Sequence, residues 1–265
     1  MNSLKRTFKR NTNNYFFSKL AGFGRALNRL YENRNYDPYS NGELVVIKKL
    51  SGLKPGVIID GGANVGKYSL LLTQYNPQCN IYAFEPVLST FNELKERVKD
   101  HSNIHPIHKG LFSEECTKQI NIYGSSTLST IYGNDNEKKK PAKVENIELV
   151  NGSAYMQSLN ITEIDFLKLD LEGAEYDAIR GFEDYLKAGK IKALQFEYGQ
   201  INIHTKKLLI DYYQLLEDYG YVLGKIFPKK VEFRKYEYKY EDFIGPNFIA
   251  VRKDDSELIK LLSKK

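Results

Sequence analysis

Four segments of this chain run apolar or half-apolar and then stop on an acid. They are "GVIID" at Asp60, "NIYAFE" at Glu85, "IDFLKLD" at Asp170 and "KALQFE" at Glu197. Helical stretches stand between them: "GKYSLLLTQY", "LSTFNELKERVKD" and "GAEYDAIRGFEDYLKAG". Strands that alternate with helices imply a mostly parallel sheet covered on both faces. In such sheets ligands bind outside the carboxyl ends of the strands. Four acids at four parallel strand ends gather on one rim, and that rim is the expected site. "NIHPIHKGLF", "KQINIYG", "YVLGKIF" and "NFIAVRK" read as further strands, and "KKLLIDYYQLLEDYG" as a further helix. "GNDNEKKKPAKVEN" is polar and broken by Pro141, so it reads as a loop beside the site, where loops often act as lids.

A chain of 265 residues buries one sizeable core. Two cysteines, Cys79 and Cys116, make neither a disulfide framework nor a zinc pattern, which points to a reducing cytoplasm. No apolar run approaches the roughly 20 residues needed to span a bilayer, and no secretory signal opens the sequence, so no stable membrane insertion is expected. The net charge of +6 suits an anionic ligand or surface. Before residue 35, Lys5, Arg6, Lys9, Arg10, Lys19, Arg25, Arg29 and Arg34 face only Glu32. Phe16, Leu20, Phe23, Leu27 and Leu30 recur there at helical spacing, so residues 15–33 read as a basic amphipathic helix. Packing on its own domain, or a homo-oligomer contact, is the expected use of that face; an anionic membrane surface is the other. Residues 1–41 are thus an N-terminal helical extension and 42–265 the main domain.

The turn "DGGANVGKYS" decides what the rim binds. A phosphate-cradling P-loop needs Lys followed by Ser or Thr after its last glycine, and here Tyr68 follows Lys67. The dinucleotide fingerprint places Ala63 where its second glycine allows close pyrophosphate approach. Asp60, immediately before the turn, would repel a pyrophosphate but suits a positive amino group. Glu85, at the end of the next strand, is placed to accept two ribose hydroxyls. An amine, a ribose diol and no phosphate describe S-adenosylmethionine.

"VIIDGGANVGKYSLLL", "AFEP", "FLKLDLEGAEYDAIRGF" and "LQFEYG" resemble the landmarks of the FkbM-family methyltransferases, over roughly residues 42–251. A "GSSTLS" loop and a terminal "NFIAV" belong to the same resemblance. It implies a Rossmann-like α/β fold of class I methyltransferase type. The sheet would have seven strands in the order 3-2-1-4-5-7-6, only strand 7 antiparallel, with helices on both faces. It also implies O-methylation of a hydroxyl on a sugar, nucleotide-sugar or similar polar metabolite, in envelope or capsular glycan or secondary-metabolite synthesis. Gly61, Gly62 and Gly66 would let the backbone pass under the methionine moiety, with Asn64 and Ser69 as polar contacts. Phe84 and Pro86 would shape the adenine side, framed by Gly110 and Leu111.

An alcohol attacks the sulfonium methyl only once its proton is removed, so a base or a metal is needed. Lys168 and Asp170 point to one face of their strand, Leu167, Leu169 and Leu171 to the other. Asp170 could orient the substrate or the amine, act as base, or ligate a metal. Asp170, Glu197 and His204 could form a site for Mg²⁺, Mn²⁺ or Fe²⁺. Without a metal, Glu197 would bind substrate hydroxyls and His204 would be the base, or His204 is a surface residue. Glu172 and Glu175 follow at the helix entrance, where an acid also complements the helix dipole. Two other classes stay in view: a dinucleotide-dependent oxidoreductase, and a nucleic-acid methyltransferase. The acids of the aromatic, basic stretch Phe227–Phe243 dilute a nucleic-acid surface, so a lid or solvated hairpin is expected there.

Overall fold

In a computed structural model the described residues are 3–10, 12–123, 129–132 and 140–265. The first strand, β1 (Val57–Gly61), is flanked by β2 (Asn80–Phe84) and then β3 (Ile104–Ile107) on one side. On its other side stand β8 (Ile164–Leu169), β9 (Ile191–Glu197), β12 (Asn247–Arg252), β10 (Tyr221–Phe227) and β11 (Lys230–Phe233). Strand β12 runs antiparallel to both its neighbours, and the strands from β3 to β9 are parallel. This is the expected 3-2-1-4-5-7-6 order with one edge strand added, eight rather than seven. The addition is β11, which pairs with β10 across the turn after Phe227 and buries Val231, so this part of the stretch 227–243 is a packed sheet edge and not the solvated hairpin expected there.

The sheet is a buried one, so its strands are apolar on both faces and the helices divide between them. Ile58, Phe166, Ala193 and Ile249 pack with helices α3 (Glu43–Ser51), α4 (Lys67–Tyr75), α5 (Leu88–Val98) and α11 (Ser256–Ser263). Ile59, Leu167, Leu194 and Phe248 pack on the opposite side. There they meet α6 (Gly152–Ser158), α7 (Glu175–Gly181), α8 (Glu183–Lys187) and α10 (Leu209–Asp218). A short helix, α9 (Asn202–Thr205), follows β9. Glu241 holds α10 in place, accepting hydrogen bonds from the amides of Leu209 and Ile210 and the hydroxyls of Tyr198 and Tyr236.

A second, four-stranded sheet lies across the rim: β4 (Gly110–Phe112), β7 (Lys143–Asn151), β5 (Cys116–Ile122) and β6 (Ser129–Thr130), in that order. Strand β7 is not legible as a strand in the sequence, because charged residues on its open face conceal the inward Ile147 and Leu149. The single strand expected over residues 103–112 also divides. Ile104–Ile107 pairs with β2, whereas Gly110–Phe112 pairs with β7. Most of the "GSSTLS" loop and residues 133–139 of the lid candidate lie outside the described residues.

The N-terminal extension forms α1 (Ser3–Arg10) and α2 (Tyr15–Tyr31). No residue of α2 is buried, and its apolar stripe stays exposed, while Arg25, Asn28 and Arg29 on its other side stand across a groove from the segment 242–244. The chain meets the domain just beyond it, where Lys225 Nζ lies 2.9 Å from Glu32 and the Asn33 amide donates to the carbonyls of Asn41 and Ile226. Cys79 and Cys116 are free thiols, and no helix among the described residues is long and apolar enough to cross a membrane.

Candidate active site

The turn after β1 is held under the end of β2: the amides of Gly62 and Ala63 both donate to the Phe84 carbonyl, at 3.1 and 2.9 Å. Gly62 has φ +73°, and a Cβ there would lie 1.9 Å from the Asp170 carbonyl oxygen. Only glycine lets β1 and β8 close on each other at this point. Gly66, at φ +83°, starts α4 against Leu94. Between these strand ends lies a cavity of about 220 Å³, lined by Gly62, Asn64, Glu85, Pro86, Asp170 and Glu172, with Ser129 of the second sheet above. A larger cavity, about 610 Å³, opens at the opposite end of the sheet beside Pro55, Asp165 and Lys192. Volume alone therefore does not choose the site; the carboxyl strand ends do.

Glu85 accepts the Asn64 amide on one carboxylate oxygen and the Val87 amide on the other, at 3.1 and 2.9 Å. Burial pushes its carboxyl up to about 7, against those two bonds. Each oxygen keeps a further lone pair for a ligand hydroxyl. The carboxylate fits a ribose diol, and the side-chain-free Gly62 leaves room for a ligand against the backbone.

Asp60 does not line this cavity. It is fully buried one layer below, accepting the Ser69 hydroxyl at 2.6 Å on Oδ2, and its Oδ1 faces Lys168 Nζ at 3.4 Å. Lys168 also reaches Asp170 Oδ2 at 3.3 Å and lies over the Tyr68 ring. In the parallel register Asp60 sits beside Lys168, and Lys168 beside Gln195, so the three form one polar row across the sheet. Gln195 donates to Glu43 of α3 at 2.6 Å. Burial works against the Lys168 ammonium, but Asp170, Asp60 and Glu43 outweigh it and raise its pKa. Lys168, Glu43, Gln195 and Tyr68 were not singled out as site residues from the sequence. The one available signal was a lysine inside an otherwise apolar strand, between two acids.

Asp170 is the rim's exposed acid, with a side chain 45 % exposed. Glu197 stands beside it, close enough to donate to it, and is pushed well above the ordinary carboxylate range by burial and by Asp170, Glu172 and Glu175. The same causes, burial first and then Asp170 and Glu175, push Glu172 up to about 8. Glu175 is a brace: its two oxygens accept the amides of Leu171 and Gly173 at 2.6 and 3.0 Å.

The metal set of Asp170, Glu197 and His204 is not assembled. Among the described residues no three His, Cys, Asp or Glu side chains group as ligands, and an ammonium already occupies one flank of Asp170. A cation placed there would meet Lys168, so these residues do not fit a metal. His204 lies on α9, half-buried, and no side-chain hydrogen bond or ion pair joins it to either acid.

Gly62, Asn64, Glu85, Pro86 and Asp170 thus line the cavity. Asp60, Gly61, Ser69, Phe84, Gly110 and Leu111 are buried around it without lining it. A Cβ on Gly61 would meet the Leu111 and Leu169 side chains, and one on Gly110 would meet Leu149, so these positions serve packing beneath the rim. A separate groove of about 230 Å³ lies between α2 and the segment 242–244, and it includes Gln200, three residues past Glu197. Arg25, Asn28, Arg29 and Arg34 line one wall, and Gln200 and Asp242 the other. Among the described residues none of the three arginines has an ion-pair partner.

Residues 60–223 match the methyltransferase FkbM domain, well over half the chain and the whole of this rim. The chain belongs to the FkbM methyltransferase family. The dinucleotide oxidoreductase reading therefore falls on the family match, while the argument from Asp60 does not hold, since that acid is buried beneath the cavity. The chain is similar to "Methyltransferase 1" of Beauveria bassiana, 27 % identical over 145 residues, covering 48 % of this chain and 58 % of that protein. The hexuronic acid methyltransferase AglP of Haloferax volcanii is 24 % identical over 176 residues, covering 64 % of this chain and 70 % of its own. The solved FkbM methyltransferase of Methylobacillus flagellatus superposes with a TM-score of 0.47 at 15 % identity, over 74 % of this chain and 44 % of that one. The chain spans 58 % of the first of these relatives.

Proposed function

We propose that this FkbM-family protein transfers a methyl group from S-adenosylmethionine to a hydroxyl of an acidic sugar or nucleotide-sugar. The observation that carries the reading is that Glu85 and Asp170 face one cavity from the two sides of Gly62. Bound there, S-adenosylmethionine supplies a methyl group carried on a positive sulfur. Glu85 accepts the ribose hydroxyls, and Pro86 and Val87 wall the adenine side. Asp60 acts from below, through Lys168, rather than by touching the ligand. Asp170 forms a pair with its neighbour Glu197, whose carboxyl is held by burial well above the ordinary carboxylate range. That pair takes the acceptor's hydroxyl proton as the acceptor oxygen bonds to the methyl carbon and the carbon–sulfur bond breaks. Lys168 fixes Asp170 at the rim.

The acidic acceptor is supported by the arginine groove, whose three unpaired guanidiniums share it with Gln200, three residues past Glu197. Guanidinium suits planar carboxylate and phosphate groups. The name of the Haloferax relative, a hexuronic acid methyltransferase, points the same way. The test is methyl transfer from labelled cofactor to a panel of uronic acids, nucleotide-sugars and neutral sugars. Turnover on anionic members, with Asp170→Asn losing at least a hundredfold in kcat, supports the reading; turnover on neutral sugars alone defeats the acidic acceptor.

A further inference from the structure

The exposed face of α2 is the largest feature that methyl transfer leaves unexplained. Phe16, Phe23 and Leu30 are 68 %, 62 % and 78 % exposed, and Leu20 and Leu27 at least half so. Their 4-3-4-3 spacing sets them in one stripe along the 17-residue helix. The helix is well made for a surface element: Asn14 caps it by accepting the Phe17 amide at 3.0 Å. Phe8 of α1 meets Phe17 edge-on at 6.0 Å, so the apolar surface continues into α1. Residues 3–31 carry seven basic side chains, Lys5, Arg6, Lys9, Arg10, Lys19, Arg25 and Arg29, and no acid at all.

We infer that α1 and α2 dock the protein on an anionic lipid surface, with the Phe16–Leu30 stripe in the boundary between headgroups and acyl chains. An amphipathic helix with apolar residues on one face and only basic charge around it has the composition of an interfacial helix. Charge complementarity selects this occupant over a second copy. Two such arms placed face to face would bring like charges together with no acid to offset them. The stripe also extends over about two heptads, short of the three to four that sustain a coiled coil. Anionic headgroups neutralise the arm, whereas another arm does not.

The arrangement has a consequence for the site. Arg25 and Arg29 each stand two residues from Leu27, a rotation of about 200°, so they leave the helix on its far side. There they line the groove beside Gln200. A helix lying in the lipid interface would hold that groove about one helix diameter, some 10 Å, from the headgroups. The mouth of the rim would then face acceptors presented at the membrane.

The test is co-sedimentation of the full chain with vesicles of pure phosphatidylcholine and of phosphatidylcholine mixed with phosphatidylglycerol. Light scattering without vesicles records the oligomeric state. The expected result is partition onto the anionic vesicles at least tenfold above the neutral ones, lost in high salt and in Leu20→Ser/Phe23→Ser/Leu27→Ser. These side chains are exposed, so the triple variant keeps the thermal midpoint of the parent, and its lost binding is not lost folding. Two results would overturn the inference: no preference for anionic vesicles, or a homodimer that the same triple variant dissolves. The readout needs no methyl transfer, so it stands or falls independently of the proposed reaction.

Discussion

Lys168 Nζ lies between two carboxylates, 3.3 Å from Asp170 and 3.4 Å from Asp60. Its own side chain is 5 % exposed and that of Asp60 is fully buried, so the lysine offsets a charge that water cannot reach. Removing one partner of a buried pair leaves the other uncompensated and costs about 3–5 kcal/mol. Lys168→Met is accordingly expected to lower unfolding stability by about that amount in urea titration. Adding Asp60→Asn to it should recover part of the loss, because the two side chains are coupled. Full additivity of the two substitutions would show that the pair does not interact.

Gly62→Ala tests the closeness of the turn to β8. A Cβ 1.9 Å from the Asp170 carbonyl forces the two strand ends apart, in a backbone region that L residues rarely adopt. The expected outcome is a folded protein by circular dichroism, with S-adenosylhomocysteine affinity reduced roughly a hundredfold, about 2.7 kcal/mol. Unchanged affinity would remove the turn from the binding site.

Glu85→Ala deletes the acceptor for the ribose hydroxyls and leaves the amides of Asn64 and Val87 without their carboxylate. Hydrogen bonds to a charged group are worth about 1.5–3 kcal/mol each, so the dissociation constant of S-adenosylhomocysteine should rise at least tenfold. Calorimetry on the parent and the variant measures it directly.

The acids of the rim also predict a pH dependence. The Glu172 carboxyl, at about 8 in the folded chain, stands above its ordinary 4.5. Between those values the folded chain keeps a proton that the unfolded chain releases, so stability falls as pH rises through the window. Glu172→Gln abolishes that contribution. Its unfolding free energy should exceed the parent's increasingly from about pH 4.5 to about pH 8, by a few kcal/mol at most. A difference that stays constant across the window would mean that Glu172 titrates normally.

The groove makes a kinetic prediction. Arg25→Gln/Arg29→Gln should raise KM for an anionic acceptor at least tenfold and leave cofactor affinity alone, because those arginines line a groove separate from the cavity that Glu85 lines.

Much of this architecture was legible because strand ends and turns are local. The apolar run into Asp60, the small residues after it and the acids at Glu85, Asp170 and Glu197 each announce a strand that ends at the rim. Side-chain parity along β8 followed from the pleat, and Lys168 and Asp170 do share a face. What the residues alone did not disclose is which acids are free to meet a ligand. Asp60 and Glu175 look equivalent to Asp170 in sequence. Asp60 is buried against Ser69 and Lys168, and Glu175 is consumed by the amides of its own loop. The second sheet was hidden for a different reason. Strand β7 carries charge on its open face, so composition reads as loop where pairing with β5 makes a strand. The exposure of α2 was equally unreadable, since a helical stripe specifies a partner without saying which one.

The rim between Gly62, Glu85 and Asp170 is proposed to hold S-adenosylmethionine. Calorimetric titration of the metal-free protein with S-adenosylhomocysteine, run beside NADH, tests it most directly. Saturable binding of S-adenosylhomocysteine alone, weakened by Glu85→Ala, is the predicted result. Binding of NADH instead, or S-adenosylhomocysteine binding indifferent to Glu85→Ala, would contradict it.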